Sequence, residues 1–415
     1  MRYDHANSFI MQWLAKAGAH VTIIERFPQL RTGGQSIDIR TVGVTVMRKM
    51  EGMEAAVRAK TTQIDGLSFV REDGRPYGTI RATGNPDQQS LVSEYEIFRG
   101  DLSQIIFDMT KNNDNIKYVF GEQVSSIQKQ HDGKNNESVT VEFANGYPTS
   151  EYDLVVACDG ATSRTRALGL GCGVRDHMEP TNCWAAYFSI DQDLLEGSKI
   201  GQGYSAPGGR FLSLGPDPSG VNRVALMGIN PRDAHDAGLL FRKAVAQGDD
   251  ALKKLISQLY EGAGWKTNEL IKGMFEAQDF YATEIVQVRI PNLFKGRFVL
   301  IGDAGYAPGF TGGGTSLAIA GAYVLAGELS RHKGNLAEGL KAYEERMRPI
   351  IDDLQKVPPL VPTVLAPQTA WGLWLRNNIF AFIAWTRILE FGQKYFAAAF
   401  ASTDKHKLPG YDWVA

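Results

Sequence analysis

Residues 296–329 read GRFVLIGDAGYAPGFTGGGTSLAIAGAYVLAGEL, and this stretch contains a strand–turn–helix unit. The apolar run predicts a buried strand over 297–303, which ends in a Gly-Asp turn. After a Pro/Gly loop, three glycines at 312–314 open a helix that we expect over about 315–329. Glycines at a helix N-terminus present backbone N–H groups to an anion or to the polar edge of a ring. A tightly packed helix after a turn explains any one of these glycines, but it explains the whole run poorly.

A second stretch, LVVACDGATSRTR at 154–166, also takes a buried strand into a turn. Gly160 permits a tight bend directly after Asp159. The arginines that follow suit either Asp159 or the oxygens of a phosphate as partners. Alternatively, Asp159 caps the start of the next helix. The residues alone leave both interpretations open.

A third stretch, VTIIERFPQLRTGGQSIDIR at 21–40, begins with a strand that follows a helix over 9–16. Glu25 stands at the end of this strand, where a carboxylate can accept hydrogen bonds from a ribose diol. An acid at this place is also compatible with simple solvation. Two adjacent glycines at 33–34 allow the backbone to approach a flat ligand, although they also suit an ordinary turn.

Composition excludes several classes of protein. The chain has 415 residues, 43% of them hydrophobic, and a formal net charge of −2. This length and hydrophobic fraction are enough for a large core. The near-zero net charge indicates neither nucleic acid nor an acidic membrane as a partner. Three cysteines without a CxxC pair predict no metal cluster and fit a reducing compartment. Since no leading apolar run is present, we expect a cytoplasmic chain.

The order of predicted elements suggests a divided architecture. Strands and helices alternate up to about residue 172, including an amphipathic helix predicted over 96–109. Short strands with Pro/Gly turns then predict an inserted antiparallel sheet. The tail from residue 357 is apolar and aromatic, but prolines and charges interrupt it. We therefore predict no transmembrane segment, and either a helical tail packed on the protein or peripheral membrane contact.

Taken together, the three stretches and EIFRGDL at 96–102 resemble the aromatic-hydroxylase class of flavoprotein monooxygenases, which has the p-hydroxybenzoate hydroxylase fold. Within this class the chain resembles the tetracycline-inactivating monooxygenases and their fungal relatives. The resemblance implies an α/β protein with a Rossmann-like FAD-binding domain, an inserted antiparallel β-sheet substrate domain and a helical C-terminal tail. It places the FAD-binding domain at 1–70, 95–172 and 285–350. The substrate domain is then 71–94 and 173–284, and the helical region is 351–415.

The resemblance also implies roles for individual residues. FAD would be bound through these positions: Glu25 at the adenosine ribose, Asp38 near the flavin, Arg99 at the ribityl–pyrophosphate region, Asp159 in support of both cofactor sites, Asp303 at the ribityl chain, and Gly312, Gly313, Gly314 and Thr315 at the isoalloxazine edge. NADPH would dock near Arg31 and reduce the flavin. O₂ would then form a hydroperoxyflavin that passes one oxygen atom to a hydrophobic small molecule. Candidate pocket walls are Trp184, Tyr187, Tyr204 and Phe211.

One part of the family pattern is missing. The first strand and its GxGxxG turn are absent, and Arg2, Asp4 and Asn7 stand where the glycines belong. In one interpretation the true chain carries this unit upstream of Met1. In the other, the chain is a flavin-free member that catalyses a redox-neutral cyclisation or isomerisation, or only binds a small molecule. Because the missing strand is interior in the family, its neighbouring strands would lose hydrogen-bond partners. Each buried backbone group left without a partner costs about 1–3 kcal/mol.

Overall fold

The computed structural model describes residues 5–30, 34–62, 64–82, 92–130, 138–231, 235–309, 311–333, 335–356, 364, 366–386 and 406–413. It contains strands that form one large antiparallel-rich sheet and several small sheets. In chain order the strands are β1 (Val21–Glu25), β2 (Ser36–Asp38), β3 (Gly66–Val70), β4 (Pro76–Arg81), β5 (Glu96–Phe98), β6 (Ile116–Phe120), β7 (Val124–Gln130), β8 (Ser138–Phe143), β9 (Ser150–Tyr152), β10 (Val155–Ala157), β11 (Met178–Ile190), β12 (Ile200–Ala206), β13 (Arg210–Pro216), β14 (Asn222–Ile229), β15 (Tyr281–Val288), β16 (Phe294–Lys295) and β17 (Phe298–Leu300).

Helices surround these strands and contribute most of the main core. In chain order they are α1 (His5–Lys16), α2 (Val42–Met47), α3 (Met53–Arg58), α4 (Arg99–Thr110), α5 (Arg164–Leu170), α6 (His235–Gln247), α7 (Asp249–Leu259), α8 (Thr267–Glu276), α9 (Asp303–Tyr306), α10 (Gly314–Arg331), α11 (Leu336–Leu354) and α12 (Ala370–Trp385). The mixture confirms the predicted α/β class, and the bounds of β1, β17 and α10 lie within a few residues of the predicted ones.

Two short parallel pairs lie in the part of the chain that we predict to be the FAD-binding domain. β1 pairs with β6, and β10 pairs with β17, which also carries β16 on its other edge. Within the part of the chain that the structure describes, no strand pairs with the second edge of β1 or of β10. Among the described residues these two pairs are therefore separate sheets, whereas the family pattern has a strand between them.

The large sheet has the strand order β15-β11-β14-β13-β12-β3-β4. Most neighbours are antiparallel, but β12 and β3 run parallel to each other. β3 comes from the segment before residue 71, so the sheet extends beyond the boundary at which we predict the substrate domain to begin. The domain limits themselves stay a prediction. Alternating burial along β14 shows that one face of this sheet packs into a core.

The prediction of a single helix over 96–109 is wrong at its start. Glu96–Phe98 is strand β5, and helix α4 begins only at Arg99. Ile97 pairs with Ile37 of β2, which fixes the extended backbone before the helix. Helical spacing of the apolar residues did not reveal this partner, because Ile37 is far away in sequence.

Helix α10 is the central support of the main core. Every residue from Ser316 to Glu328 is buried, so this helix has no exposed face. Its small residues permit close neighbours: a Cβ at Gly321 would overlap the Tyr306 hydroxyl, and one at Gly327 would overlap the ring of Tyr411. The C-terminal residues 406–413 therefore pack directly on α10.

The tail contains helix α12, which packs on the edge of the large sheet. A Cβ at Gly78 of β4 would lie 3.0 Å from the ring of Phe380, so helix and strand are in close contact. Among the described residues, no helix is long and apolar enough to cross a membrane. The opposite face of α12 exposes large apolar side chains, including Trp371 and Trp385. Peripheral membrane contact by this tail stays a prediction.

Candidate active site

A short ladder between β2 and β5 brings predicted residues together. Asp38 lies opposite Glu96 in this ladder, and Arg99 follows β5 as the first residue of α4. The Arg99 N–H donates to the Gln35 carbonyl at 3.1 Å. A Cβ at Gly34 would lie only 3.1 Å from the Arg99 Cβ. The second glycine of the 33–34 pair therefore lets the loop lie against Arg99, whereas Arg31 lies outside the described residues.

The same ladder is attached to the N-terminal turn of α10. The Arg40 N–H donates to Ser316 Oγ at 2.9 Å. A Cβ at Gly43 would lie 2.9 Å from the same oxygen, so α2 and α10 are in close contact here. Asp38 is thus held near the glycine run that begins α10.

Asp303 lies against that glycine run from the other side. Gly302 has a φ of 61°, a conformation that suits glycine, and it turns the chain from β17 into α9. The Asp303 Oδ1 lies 3.4 Å from the position that a Cβ would take at Gly314. A carboxylate is stabilised at this place because the N-terminus of α10 carries a partial positive charge.

The glycine run offers hydrogen-bond donors next to open space. The Leu317 N–H makes the first bond of α10, to the Gly313 carbonyl at 2.9 Å. The N–H groups of Gly314 and Thr315 precede that bond and have no partner within the helix. Gly312 has a φ of 77°, and a Cβ there would meet no described atom within 4 Å. A flat group with acceptors along its edge fits this end of the helix.

In the DG turn, the geometry is that of a helix cap. Asp159 accepts the Ser163 hydroxyl hydrogen and, at 3.1 Å, the Thr165 N–H. Ser163 Oγ in turn accepts the Arg166 N–H at 2.8 Å and caps α5. Both Asp159 oxygens are used in this way, so the capping interpretation has direct structural support. A role of Asp159 in cofactor binding stays a prediction.

Arg166 is fully buried and connects the DG turn with the segment that follows Asp303. Its guanidinium donates to the Ala304 carbonyl at 2.8 Å and to the Val174 carbonyl at 2.6 Å. Burial lowers the pKa of this guanidinium, against the opposing charge of Asp159. Arg166, one of the arginines that suggested a phosphate ligand, therefore holds the segment after Asp303 in place by donating to the backbone carbonyl of Ala304.

Glu25 ends β1, as the sequence predicts, and is buried. Its Oε1 accepts the Phe27 N–H at 2.8 Å, which fixes the turn after the strand. A carboxylate has further lone pairs, so this bond is compatible with binding a ribose. The ribose role stays a prediction.

A cavity of about 250 Å³ lies between the β2–β5 ladder and the large sheet. One wall contains Asp38 and Glu96, and the other contains Tyr187, Arg223 and side chains of neighbouring strands. Burial raises the pKa of Tyr187, against the opposing charge of Arg99. The cavity therefore connects the predicted flavin residues with the sheet.

Of the four aromatic residues predicted as pocket walls, Tyr187 lines this cavity. Trp184 and Tyr204 belong instead to the core on the other face of the sheet, where Trp184 stacks on Phe241 with ring centroids 5.4 Å apart. Phe211 lies near Phe69, with ring centroids 6.5 Å apart. Successive side chains of a strand point to opposite faces of the sheet. The sequence did not show which of the two faces borders the cavity.

No sequence motif indicated the polar residues of the cavity. Arg223 donates to Asp217 at 2.7 Å and to Asp279 at 3.0 Å, and its guanidinium lies 4.7 Å from the ring centroid of Phe98. These residues come from separate loops and strands. Glu96 had a usable signal, since it precedes Arg99 by three residues in the same motif.

Comparison with known proteins places the chain in a family. A model described as "FAD binding domain" matches residues 9–356. The chain belongs to this family of FAD-binding monooxygenases. An FAD-dependent monooxygenase of Sarocladium schorii is 32% identical over 92% of this chain and 91% of its own length. A monooxygenase of Cercospora beticola is 32% identical over 97% of this chain and 94% of its own length.

A solved structure of this monooxygenase fold is also similar. The tetracycline destructase Tet(55) has a TM-score of 0.76 and 27% identity, and the match covers 98% of this chain and 97% of that one. This confirms the resemblance and the predicted architecture.

The residues present fit the flavin end of FAD. The open space at Gly312, the first N–H groups of α10 and the carboxylate of Asp303 provide a cradle with donors and an acceptor. The described residues show no glycine-rich turn between a strand and α1, where the pyrophosphate binds in the family pattern. The described residues thus fit one end of the cofactor, and their individual roles stay predictions.

Proposed function

We propose that this FAD-dependent monooxygenase uses NADPH and transfers one oxygen atom of O₂ to a hydrophobic, aromatic small molecule. One observation carries the proposal: the cavity that borders Asp38 also borders Tyr187 of the large sheet. A substrate in this cavity would contact the sheet on one side and the predicted flavin residues on the other.

Bound FAD would supply the redox chemistry, since it can accept a hydride and activate O₂. The protein would bind, orient and exclude water. Asp303 and the N–H groups of Gly314 and Thr315 would hold the flavin end of the cofactor, and Arg99 would neutralise its phosphate side. Glu25 would bind the ribose. The choice of NADPH rests on the resemblance alone, since Arg31 is outside the described residues.

The proposal that the substrate is hydrophobic is based on the residues that line the cavity. Ile64, Leu67 and Val92 line the cavity together with stacked Tyr187 and Tyr281, whose ring centroids are 6.4 Å apart. A cavity of about 250 Å³ lies just below the roughly 300–1,000 Å³ typical of small-molecule sites. It suits one or two aromatic rings.

A second function is supported by the separation of the two parallel pairs. With no described strand between β1 and β10, the usual pyrophosphate turn is not part of the described fold. A flavin-free member that catalyses a redox-neutral step in the same cavity is the alternative. It predicts no flavin binding and no NADPH oxidation.

Replacing Asp303 tests the primary proposal. Asp303→Ala removes the carboxylate beside the glycine run and should weaken FAD binding about tenfold or more, since a hydrogen bond to a charged group contributes about 1.5–3 kcal/mol. Flavin fluorescence titration measures the change. Asp352→Ala, which removes an exposed carboxylate of α11, is the matched control and should bind FAD like the unchanged chain. Equal affinity of the Asp303 variant would contradict the assignment.

A further inference from the structure

Helix α12 has one face against the large sheet and one face in solvent. It contacts β4 and β12, and its inner face includes the buried Leu373. The ring of Phe380 meets that of Phe69 edge-on, with centroids 5.1 Å apart. The outer face is a row of large apolar side chains that none of the described residues covers. This row, the α12 stripe, consists of Trp371, Trp374, Leu375, Ile379, Phe382 and Trp385.

The α12 stripe is large enough to bind a protein. The exposed fraction of its residues runs from 37% for Leu375 to 79% for Trp385. Because a buried aromatic side chain covers about 150–250 Å², the exposed parts of the stripe come to about 700–800 Å². An ordinary stable interface covers about 800 Å² on each partner. The stripe alone therefore offers nearly the area that one side of a stable dimer needs.

The spacing of the stripe is that of a seam between two helices. From Trp371 to Trp385 the outer face passes through positions 374, 378 and 382, in steps of 3, 4, 4 and 3 residues. Fourteen residues in four steps give 3.5 residues per step, which is the repeat at which two helices keep one seam in contact. A second helix therefore fits along the stripe.

The stripe is also symmetric about its centre, Asn378. Trp371 and Trp385 lie seven residues to either side of it, and Trp374 and Phe382 lie four residues to either side. Two α12 helices that run antiparallel about a two-fold axis at Asn378 would place each Trp371 against Trp385 of the second copy. Trp374 would meet Phe382 of the second copy in the same way. A symmetric dimer needs such a self-complementary surface, because the same residues serve both copies.

The α12 stripe has no charge that would keep two copies apart. The helix contains no Asp, Glu or Lys, and its one cation is Arg376. Burial lowers the pKa of Arg376, against the opposing effect of Tyr77 on β4, so its guanidinium lies towards the sheet. A helix that binds an anionic membrane carries Lys or Arg beside its apolar face. The uncharged stripe therefore fits a second copy better than a lipid surface.

Asn378 would fix the register of the pair. It is exposed at the centre of the stripe, where its Nδ2 donates to the Trp374 carbonyl at 2.7 Å. A single Asn within an apolar seam selects one register and one number of helices, because a shifted partner would bury the amide against apolar groups. In the symmetric register the two Asn378 side chains lie beside each other on the axis.

We propose that this protein forms a dimer in which the α12 stripes of two copies pack antiparallel about a two-fold axis at Asn378. The pair is closed, because each stripe is fully used by the other copy. No residue of the stripe lines the cavity between the β2–β5 ladder and the large sheet. The dimer is therefore independent of the proposed function.

Sedimentation equilibrium of the full chain tests the dimer. The mean mass should rise with concentration from one chain to two and then stay constant, because a closed pair leaves no free stripe. The dissociation constant should be about 1 μM or lower, since interfaces of this area range from micromolar to picomolar. A mass of one chain even at about a hundredfold higher concentration, or a mass that grows beyond two chains, overturns the inference.

Two exposed phenylalanines provide matched variants. Phe382→Glu puts a carboxylate into the α12 stripe and does so twice in each dimer. It should raise the dissociation constant about hundredfold or more, because aromatic side chains in an interface carry most of the binding energy. Phe275→Glu makes the same change on α8, where the phenylalanine is 46% exposed, and should leave the dissociation constant unchanged. Folded Phe382→Glu that dimerises like the unchanged chain overturns the inference.

A cysteine at the axis tests the antiparallel arrangement without disturbing the apolar residues. Asn378→Cys places two thiols beside each other, so mild oxidation should link two copies by a disulfide. Gln247→Cys, at an exposed position of α6, is the control and should stay unlinked. Two of the three native cysteines, Cys158 and Cys183, are buried. A dimer that Asn378→Cys does not cross-link overturns the proposed pairing.

Vesicles of equal parts phosphatidylcholine and phosphatidylserine test the competing partner. The dimer should stay in the supernatant when the vesicles are sedimented, because its stripes are covered. A chain that remains monomeric in solution and sediments with the vesicles, but loses this binding in Phe382→Glu, would assign the stripe to a lipid surface. That result overturns the inference.

Discussion

At the scale of single residues, Arg166 gained a role that the sequence did not indicate. Its position after the DG turn suggested a partner for phosphate, but its hydrogen bonds go to the backbone of Val174 and Ala304. A backbone carbonyl has no sequence signature, so such a partner appears only in the folded chain. Asp159, by contrast, was a helix cap in one of the two interpretations of this turn, and it accepts the Thr165 N–H. Ser163, which caps α5, was not predicted.

Arg166→Met should destabilise the fold strongly. The methionine fills part of the space but leaves the buried Ala304 carbonyl and the half-buried Val174 carbonyl without this donor, which costs about 3 kcal/mol in the free energy of unfolding. Urea unfolding measures this. Arg164→Met changes the exposed arginine of the same helix and should cost less than 0.5 kcal/mol, about the scale of a surface substitution. Similar stability of the two variants would contradict the bridging role of Arg166.

A second residue-scale prediction concerns Glu54. Its Oε1 accepts the Tyr95 hydroxyl hydrogen at 2.5 Å and Arg58 Nη2 at 2.7 Å. The Tyr95 hydrogen bond, more than the nearby Arg58 and Arg48, lowers the pKa of Glu54 to about 2. A lowered pKa means that the contribution to stability is complete above the unfolded value of 4.5 and is lost as the pH falls through about 2.

Glu54→Gln should therefore destabilise the chain at pH 7 and have little effect near pH 2. We expect only about 1 kcal/mol, because the carboxylate is partly exposed and solvent screens the interaction. Chemical denaturation across this pH range measures the difference. Glu51→Gln, at an exposed position, should show no such pH dependence. A constant difference between Glu54→Gln and the unchanged chain would contradict the mechanism.

At the scale of elements, helix α10 was predictable and its neighbours were not. The glycine run and the small residues after it gave the start and the length of the helix. The strand β5 was missed, because its extended form depends on Ile37 of β2. The contact of α10 with residues 406–413 likewise depends on a distant segment, in which the Tyr411 hydroxyl donates to Glu328 Oε1 at 2.7 Å.

A double-mutant cycle tests this contact. Gly327→Ala should destabilise the chain by about 1–3 kcal/mol, because the new methyl group overlaps the Tyr411 ring. In a Tyr411→Ala background the same change should be neutral or stabilising, since alanine favours a helix by about 1 kcal/mol over glycine. Thermal unfolding of the four proteins gives the coupling. Equal effects of Gly327→Ala in both backgrounds would show that residues 406–413 do not pack there.

At the scale of the whole molecule, the motifs predicted the family, but the cavity needed the structure. Glu25 ends strand β1, and Asp159 and Asp303 lie in the turns that follow β10 and β17, as their motifs indicated. The cavity instead brings the β2–β5 ladder together with strands of the large sheet, among them β11 and β14, from distant segments of the chain. The register of the large sheet decides which side chains face it, and single-strand alternation leaves two choices for each strand.

The visible absorbance of the chain, titrated with FAD and then mixed with NADPH without oxygen, tests the central claim most directly. An FAD monooxygenase that uses NADPH should bind one flavin per chain and lose the flavin absorbance band when NADPH is added. Reoxidation by admitted O₂ should restore the band. A folded chain that retains no FAD would contradict the proposed function. So would a chain whose bound flavin stays oxidised after NADPH is added.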